Sequence, residues 1–273
     1  MGLMRQLRHT IIRSMPNPCF CAATNLKSLL QRRKHRIKPA GKRQFLITDS
    51  HDFFWITERQ RHSRYRRGIK TAVNELARIY HLNSMDVVPG GVFIDCGANI
   101  GELGLWARAK DLDYHAFEPE PDEARCCDLN NYGGAAETRQ CGLWNQTGEM
   151  KLYSKPDSAD SSLIEFNNYS QVRRINTLTL DDYVTQRGIN QIEVLKVEAE
   201  GGEPEVLQGA RNTLPRCKYI TVDCGPERGT SSADTLVEVR EILFEAGFQM
   251  KGTNLTRMTV LYENQSLACT RAA

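Results

Sequence analysis

Phe93-Ile94-Asp95-Cys96-Gly97-Ala98-Asn99-Ile100-Gly101-Glu102 is an apolar run that passes through a turn with two glycines into a helical pattern. Glycine lets the backbone turn tightly and approach a ligand with no side chain in the way. Strand, glycine turn and helix in this order open a doubly wound α/β sheet, which takes its ligands at the carboxyl ends of its strands. The spacing Asp-x-Gly-x-Asn-x-Gly differs from the G-x-G-x-x-G of dinucleotide sites. A carboxylate at Asp95 would crowd a pyrophosphate, whereas it would stabilise the ammonium and sulfonium of S-adenosylmethionine. Downstream, Phe117-Glu118-Pro119 ends a second strand with an acid suited to accept both hydroxyls of a ribose. In the alternative reading, Gly97 and Gly101 only shape a turn and Glu118 is a solvated strand end.

Outward from this motif, strands and helices alternate. Strands are predicted at 92–95, 114–117, 138–141, 193–198 and 219–223, with an end pair near 248–250 and 258–262. Helices are predicted at 102–110, 122–131, 203–212 and 233–246. The expected fold class is α/β, Rossmann-like, with a doubly wound, mostly parallel sheet, an antiparallel end strand and a small N-terminal cap. The insertion from about Met150 to Tyr183 carries a Ser-rich stretch and a predicted hairpin arm. Upstream, Phe45-Leu46-Ile47 and Phe53-Phe54-Trp55-Ile56 flank a polar turn, and Val73, Leu76, Ala77 and Tyr80 recur at helical spacing. The expected division is a basic arm over 1–43, a cap over 44–88, the cofactor-binding domain over 89–263 and a tail over 264–273.

The motif at 93–102, the segment Phe117-Glu118-Pro119-Glu120-Pro121, and Leu195-Lys196-Val197-Glu198-Ala199-Glu200-Gly201-Gly202-Glu203 with the following Val206-Leu207-Gln208-Gly209-Ala210 resemble the FkbM-type family of class I S-adenosylmethionine-dependent methyltransferases. Arg64-Tyr65-x-x-Gly68 and Glu245-Ala246-Gly247-Phe248 match its flanks. The resemblance implies O-methylation of a hydroxyl, often on a sugar or natural product. This chain has Glu198 where the family more often has Asp, and Asp223-Cys224-Gly225 where relatives commonly show Glu with a His nearby.

Residues two apart on a strand share a face, so Lys196, Glu198 and Glu200 point the same way. A carboxylate there would take the proton of an attacking hydroxyl, with Glu200 or Glu198 as base and Lys196 orienting it. The alternative is a Lys–Glu network that holds the Gly201-Gly202 turn. The expected cofactor contacts are Asp95, Gly97, Ala98, Asn99, Gly101, Glu118 and Pro119, with Gly142 and Leu143 beside the adenine.

The remaining composition narrows the function classes. In 273 residues the nine Cys form no paired C-x-x-C unit, and the six His make no metal-binding arrangement, so reduced thiols, a cytoplasmic protein and no metal are expected. No apolar stretch is long enough to cross a bilayer as a helix. The net charge of +3 conceals an asymmetry, because residues 1–48 hold 11 Lys and Arg and no acid. The rest is mildly acidic, which argues against a specific nucleic-acid partner. Leu3, Leu7, Ile11 and Ile12 recur among arginines, and Gln31-Arg32-Arg33-Lys34-His35-Arg36-Ile37-Lys38 follows. This arm reads as a peripheral contact with an anionic membrane surface, as a transit peptide, or as a solvated tail. The expected acceptor is a small molecule or glycan, and the rival readings are a non-catalytic protein that keeps the fold or an NAD-dependent sugar-modifying enzyme.

Overall fold

The computed structural model describes residues 15–155 and 160–268. The chain divides into two compact units at Val73/Asn74. In the first, helix α1 (Asn17–Leu30) is followed by strands β1 (Arg36–Pro39), β2 (Phe45–Thr48) and β3 (Phe53–Ile56), which form an antiparallel sheet in that order. Asn25 fastens helix to sheet by donating Nδ2 to Ile37 O at 2.9 Å and accepting Ile37 N at 2.8 Å. Ile37, Phe45, Ile47, Phe54 and Ile56 fill the core beneath. The basic segment is therefore not wholly an arm, since its second half supplies a helix and a strand of this sheet. The repeat from Leu3 to Arg13 lies outside the described residues.

Helix α2 (Ile69–Ile79) leads into the second unit. There β4 (Val92–Cys96), α3 (Glu102–Ala109), β5 (Asp113–Phe117) and α4 (Pro121–Asn131) follow the predicted alternation. The insertion is a second, four-stranded sheet of β6 (Gly142–Leu143), β7 (Gly148–Lys155), β8 (Asp160–Ser162) and β9 (Gln171–Leu178), in the order β6-β9-β7-β8. Helix α5 (Leu180–Arg187) returns the chain to β10 (Ile192–Val197), α6 (Glu203–Gln208), β11 (Cys217–Asp223), α7 (Leu236–Glu245), β12 (Phe248–Asn254) and β13 (Thr259–Asn264).

The main sheet runs β12-β13-β11-β10-β4-β5. β5, β4, β10 and β11 are parallel, while β13 lies antiparallel between β11 and β12. Every residue of β10 and β11 is buried, as expected of central strands covered on both faces. One prediction is corrected: 138–141 forms no strand of this sheet. Only Arg139 bridges to Phe117, and the chain then leaves to pair Gly142 and Leu143 with β9.

Candidate active site

β4 ends in a turn that only glycine fits. Gly97 has φ +74°, and a Cβ there would lie 2.1 Å from the carbonyl oxygen of Glu198. Gly101, at φ +79°, is held against α4, where a Cβ would meet Asn131 Nδ2 at 2.2 Å. The backbone N–H groups of Gly97 and Ala98 both donate to Phe117 O, which ties this turn to the end of β5. Beside it Glu118 is buried, with one carboxylate oxygen accepting Asn99 N at 2.8 Å and the other Glu120 N at 2.9 Å. Burial pushes its carboxyl up to about 8, against the pull of those two N–H groups.

After β10 the chain turns sharply. Glu200 takes a left-handed φ of 49° and Gly201 one of 93°. Glu203 holds this turn, its Oε1 accepting Ala199 N at 2.9 Å and Gly201 N at 3.1 Å, and its Oε2 accepting the Thr235 hydroxyl at 3.0 Å. From the insertion, Ser162 Oγ donates to Glu200 O at 2.9 Å. The insertion is thus part of the wall next to Glu200.

Between the two turns lies a cavity at the carboxyl ends of β4, β5 and β10. Of the predicted residues, Gly97, Asn99, Glu118, Pro119, Gly142, Leu143, Glu198 and Glu200 line it. Phe117, Cys141, Trp144 and Leu163 add apolar wall, while Glu120 and Glu123 bring the lining carboxylates to five. No Lys, Arg or His lines it among the described residues. Glu120 is paired from outside by Arg173.

Asp95, Ala98, Gly101 and Lys196 do not line this cavity. The Asp95 carboxylate lies in the sheet interior, accepting the Tyr114 hydroxyl at 2.7 Å and standing 3.1 Å from Lys196 Nζ. Lys196 is only 2% exposed, and its ammonium also meets Glu198 Oε2 at 2.9 Å and Gly97 O at 2.7 Å. Burial by itself would lower the lysine's pKa, but Asp95 and Glu198 outweigh it and raise the value, so Lys196 stays charged. Lys196 therefore orients Glu198, and it joins that carboxylate to the glycine turn.

Glu198 is the node of a wider network that the sequence did not reveal. Burial opposes its charge, yet Lys196, the Tyr80 hydroxyl and Arg257 together hold its carboxyl below the ordinary range. Arg257 Nη2 lies 3.6 Å from Glu198 and 2.9 Å from the buried Asp223. Tyr80, one of the residues that recur at helical spacing, is fully buried, and its ring centre lies 5.2 Å from Lys196 Nζ. Glu227 is a further unpredicted acid: burial, then Asp223, Glu198 and Glu203, carry it up to about 7. No group of three or more His, Cys, Asp or Glu suited to hold a metal occurs among the described residues.

Residues 95–250 match the profile of the methyltransferase FkbM domain, more than half of the chain. The chain is 24% identical over 181 residues to the 31-O-demethyl-FK506 methyltransferase FkbM of Streptomyces tacrolimicus, covering 54% of this chain and 70% of that protein. To the 2-O-methyltransferase NoeI of Sinorhizobium fredii it is 23% identical over 188 residues, covering 60% and 76% respectively. To the hexuronic acid methyltransferase AglP of Haloferax volcanii it is 28% identical over 168 residues, covering 61% and 66%.

Proposed function

The chain belongs to the FkbM methyltransferase family, whose methyl donor is S-adenosylmethionine, and from that premise we propose that it methylates a hydroxyl on a sugar, glycan or natural-product acceptor. The observation that carries the cofactor side of this reading is the lining of five glutamates with no basic side chain. Even with Glu118 protonated near neutral pH and with Glu120 and Glu198 paired to Arg173 and Lys196, the lining offers acceptor oxygens and no cation among the described residues, which suits a sulfonium and an ammonium better than the pyrophosphate of NAD. Glu118 would take the ribose diol, and the apolar wall of Phe117, Leu143 and Trp144 would take the purine. When bound, the cofactor supplies an electrophilic methyl group on a positively charged sulfur.

The chain's own residues orient the acceptor and take its proton. Glu200 and Glu198 are the candidate bases, since both face the cavity at the end of β10. Glu203 and Ser162 fix the backbone that carries Glu200, and Lys196 fixes the Glu198 carboxylate. Positioning of this kind supplies much of the acceleration in a displacement at carbon. The relatives' names support this reading, because two of them specify a 31-O and a 2-O position and the third a hexuronic acid. No helix among the described residues is long and apolar enough to cross a membrane. A peripheral contact of the N-terminal basic segment with an anionic surface fits its charge.

Calorimetry with S-adenosylmethionine, S-adenosylhomocysteine and NAD tests the cofactor. Binding of the first two alone, weakened at least about tenfold by Glu118→Ala, is expected. NAD binding would overturn the assignment. For the base, turnover with an accepted sugar should fall by about 100-fold or more in Glu200→Gln or Glu198→Gln at unchanged cofactor affinity. Near-normal turnover in both would remove the two glutamates from that role.

A further inference from the structure

The first unit contains a cavity of about 640 Å³ between the end of α1, the β2–β3 turn and the start of α2. Its lining includes six cations, Arg32, Arg33, Lys34, Arg66, Arg67 and Lys70, against only two carboxylates, Asp49 and Asp52. Arg33, Lys34, Arg66 and Lys70 make no ion pair among the described residues. Six minus two leaves an excess of four positive charges around one concavity, where like charges repel unless an anion bridges them.

Asp49 is one of the two carboxylates in that count, and its hydrogen bonds go to the backbone. Its Oδ1 accepts His51 N at 2.9 Å and Asp52 N at 3.0 Å, while Oδ2 accepts Ile69 N at 2.8 Å. These bonds lock the turn to the head of α2, so the cavity wall is built into the fold and the carboxylate is already occupied by N–H groups. Gly68, at φ +107°, brings the chain around that wall. His35 also lines the cavity and is buried. Its Nε2 is 3.0 Å from Ser28 Oγ, but its Nδ1 has no partner. In either tautomer Nδ1 is left without a protein partner, as a donor or as an acceptor. Burial and the surrounding cations lower the imidazole pKa to about 4, so His35 is neutral while the arginines and lysines around it are charged.

We propose that this cavity binds a phosphate-bearing anion, a phosphomonoester or a diphosphate, at a site separate from the methyl-transfer cavity. Phosphate matches the donors present: it is multivalent, its oxygens accept the planar fork of arginine, and lysine meets it as a point charge. The cavity has room for a phosphate together with the group that carries it, whether a free phosphorylated molecule or a lipid whose headgroup enters.

The test uses the full chain and inorganic pyrophosphate, titrated calorimetrically, with vesicles of phosphatidylcholine alone or mixed with phosphatidic acid as a second arm. Arg66→Gln with Lys70→Gln removes two lining cations. Lys110→Gln with Arg211→Gln removes two exposed cations elsewhere, so that overall charge is matched. Thermal unfolding without ligand checks that each variant folds. Pyrophosphate binding weakened at least about tenfold by the first pair and unchanged by the second supports the site with a soluble ligand. Binding only to phosphatidic acid vesicles, lost with the first pair alone, supports it with a lipid headgroup as the source. No binding in either arm, or equal weakening by both pairs, overturns it.

Discussion

At Glu118 burial and hydrogen bonding pull in opposite directions, and burial prevails, leaving the carboxyl at about 8. Its folded value lies above the ordinary carboxyl range, so its stabilising contribution is full in acid and is lost as the pH rises through about 8. A diol that donates to it favours the ionised form. S-Adenosylmethionine should therefore bind more tightly as the pH rises from about 6 to 8, by up to about tenfold per unit, and level off above. Calorimetry across that range checks it, with Glu118→Gln expected to flatten the profile. Lys196 gives a second outcome, because Lys196→Met would leave Asp95 without a cation in the sheet interior. The loss should be about 3–5 kcal/mol in denaturant unfolding. Much of this was legible: Gly97, Glu118, Glu198 and Glu200 were readable as cavity residues from strand ends and glycine spacing. The direction of Asp95 was not, since Asp95 and Lys196 meet through the register of β4 with β10, which no local pattern states. Tyr80 and Arg257 reach Glu198 from far along the chain and carry no motif.

Among the elements, those that alternate apolar strand with amphipathic helix were legible, and those built from polar pairing were not. β7 and β9 pair through seven register positions and their burial alternates along most of each strand, but the more buried positions mix Met150, Leu152 and Ile175 with Ser154, Arg173 and Thr177, so residue type does not follow the alternation. The alternating pattern predicts a strand at 138–141. Its chain instead crosses from one sheet to the other, and Arg139 alone makes a bridge to β5. Helix α5 follows β9 directly, and Thr179 caps it by accepting Asp182 N at 3.0 Å. Thr179→Ala should lower stability by about 1 kcal/mol, seen as a shift of the urea midpoint with no change of slope.

For the whole molecule, a ligand that binds only the folded chain stabilises it by mass action. S-Adenosylmethionine at 100 times its dissociation constant should add about 2.7 kcal/mol to unfolding, visible as a raised thermal midpoint, while NAD should leave the midpoint unmoved. A rise with NAD instead would contradict the acidic lining as the selector. The order of strands in the main sheet also bears on how the molecule is made. β13 is the last of them to be synthesised, yet it sits between β11 and β12 and pairs with both. Until the ribosome has delivered Thr259–Asn264, β11 and β12 each lack a neighbour and present bare backbone N–H and C=O groups. Halted synthesis or a premature stop before Thr259 would release a chain whose buried strand β11 has become an adhesive edge, so an incomplete product would be drawn to chaperones or to aggregation rather than lingering as a weakened enzyme.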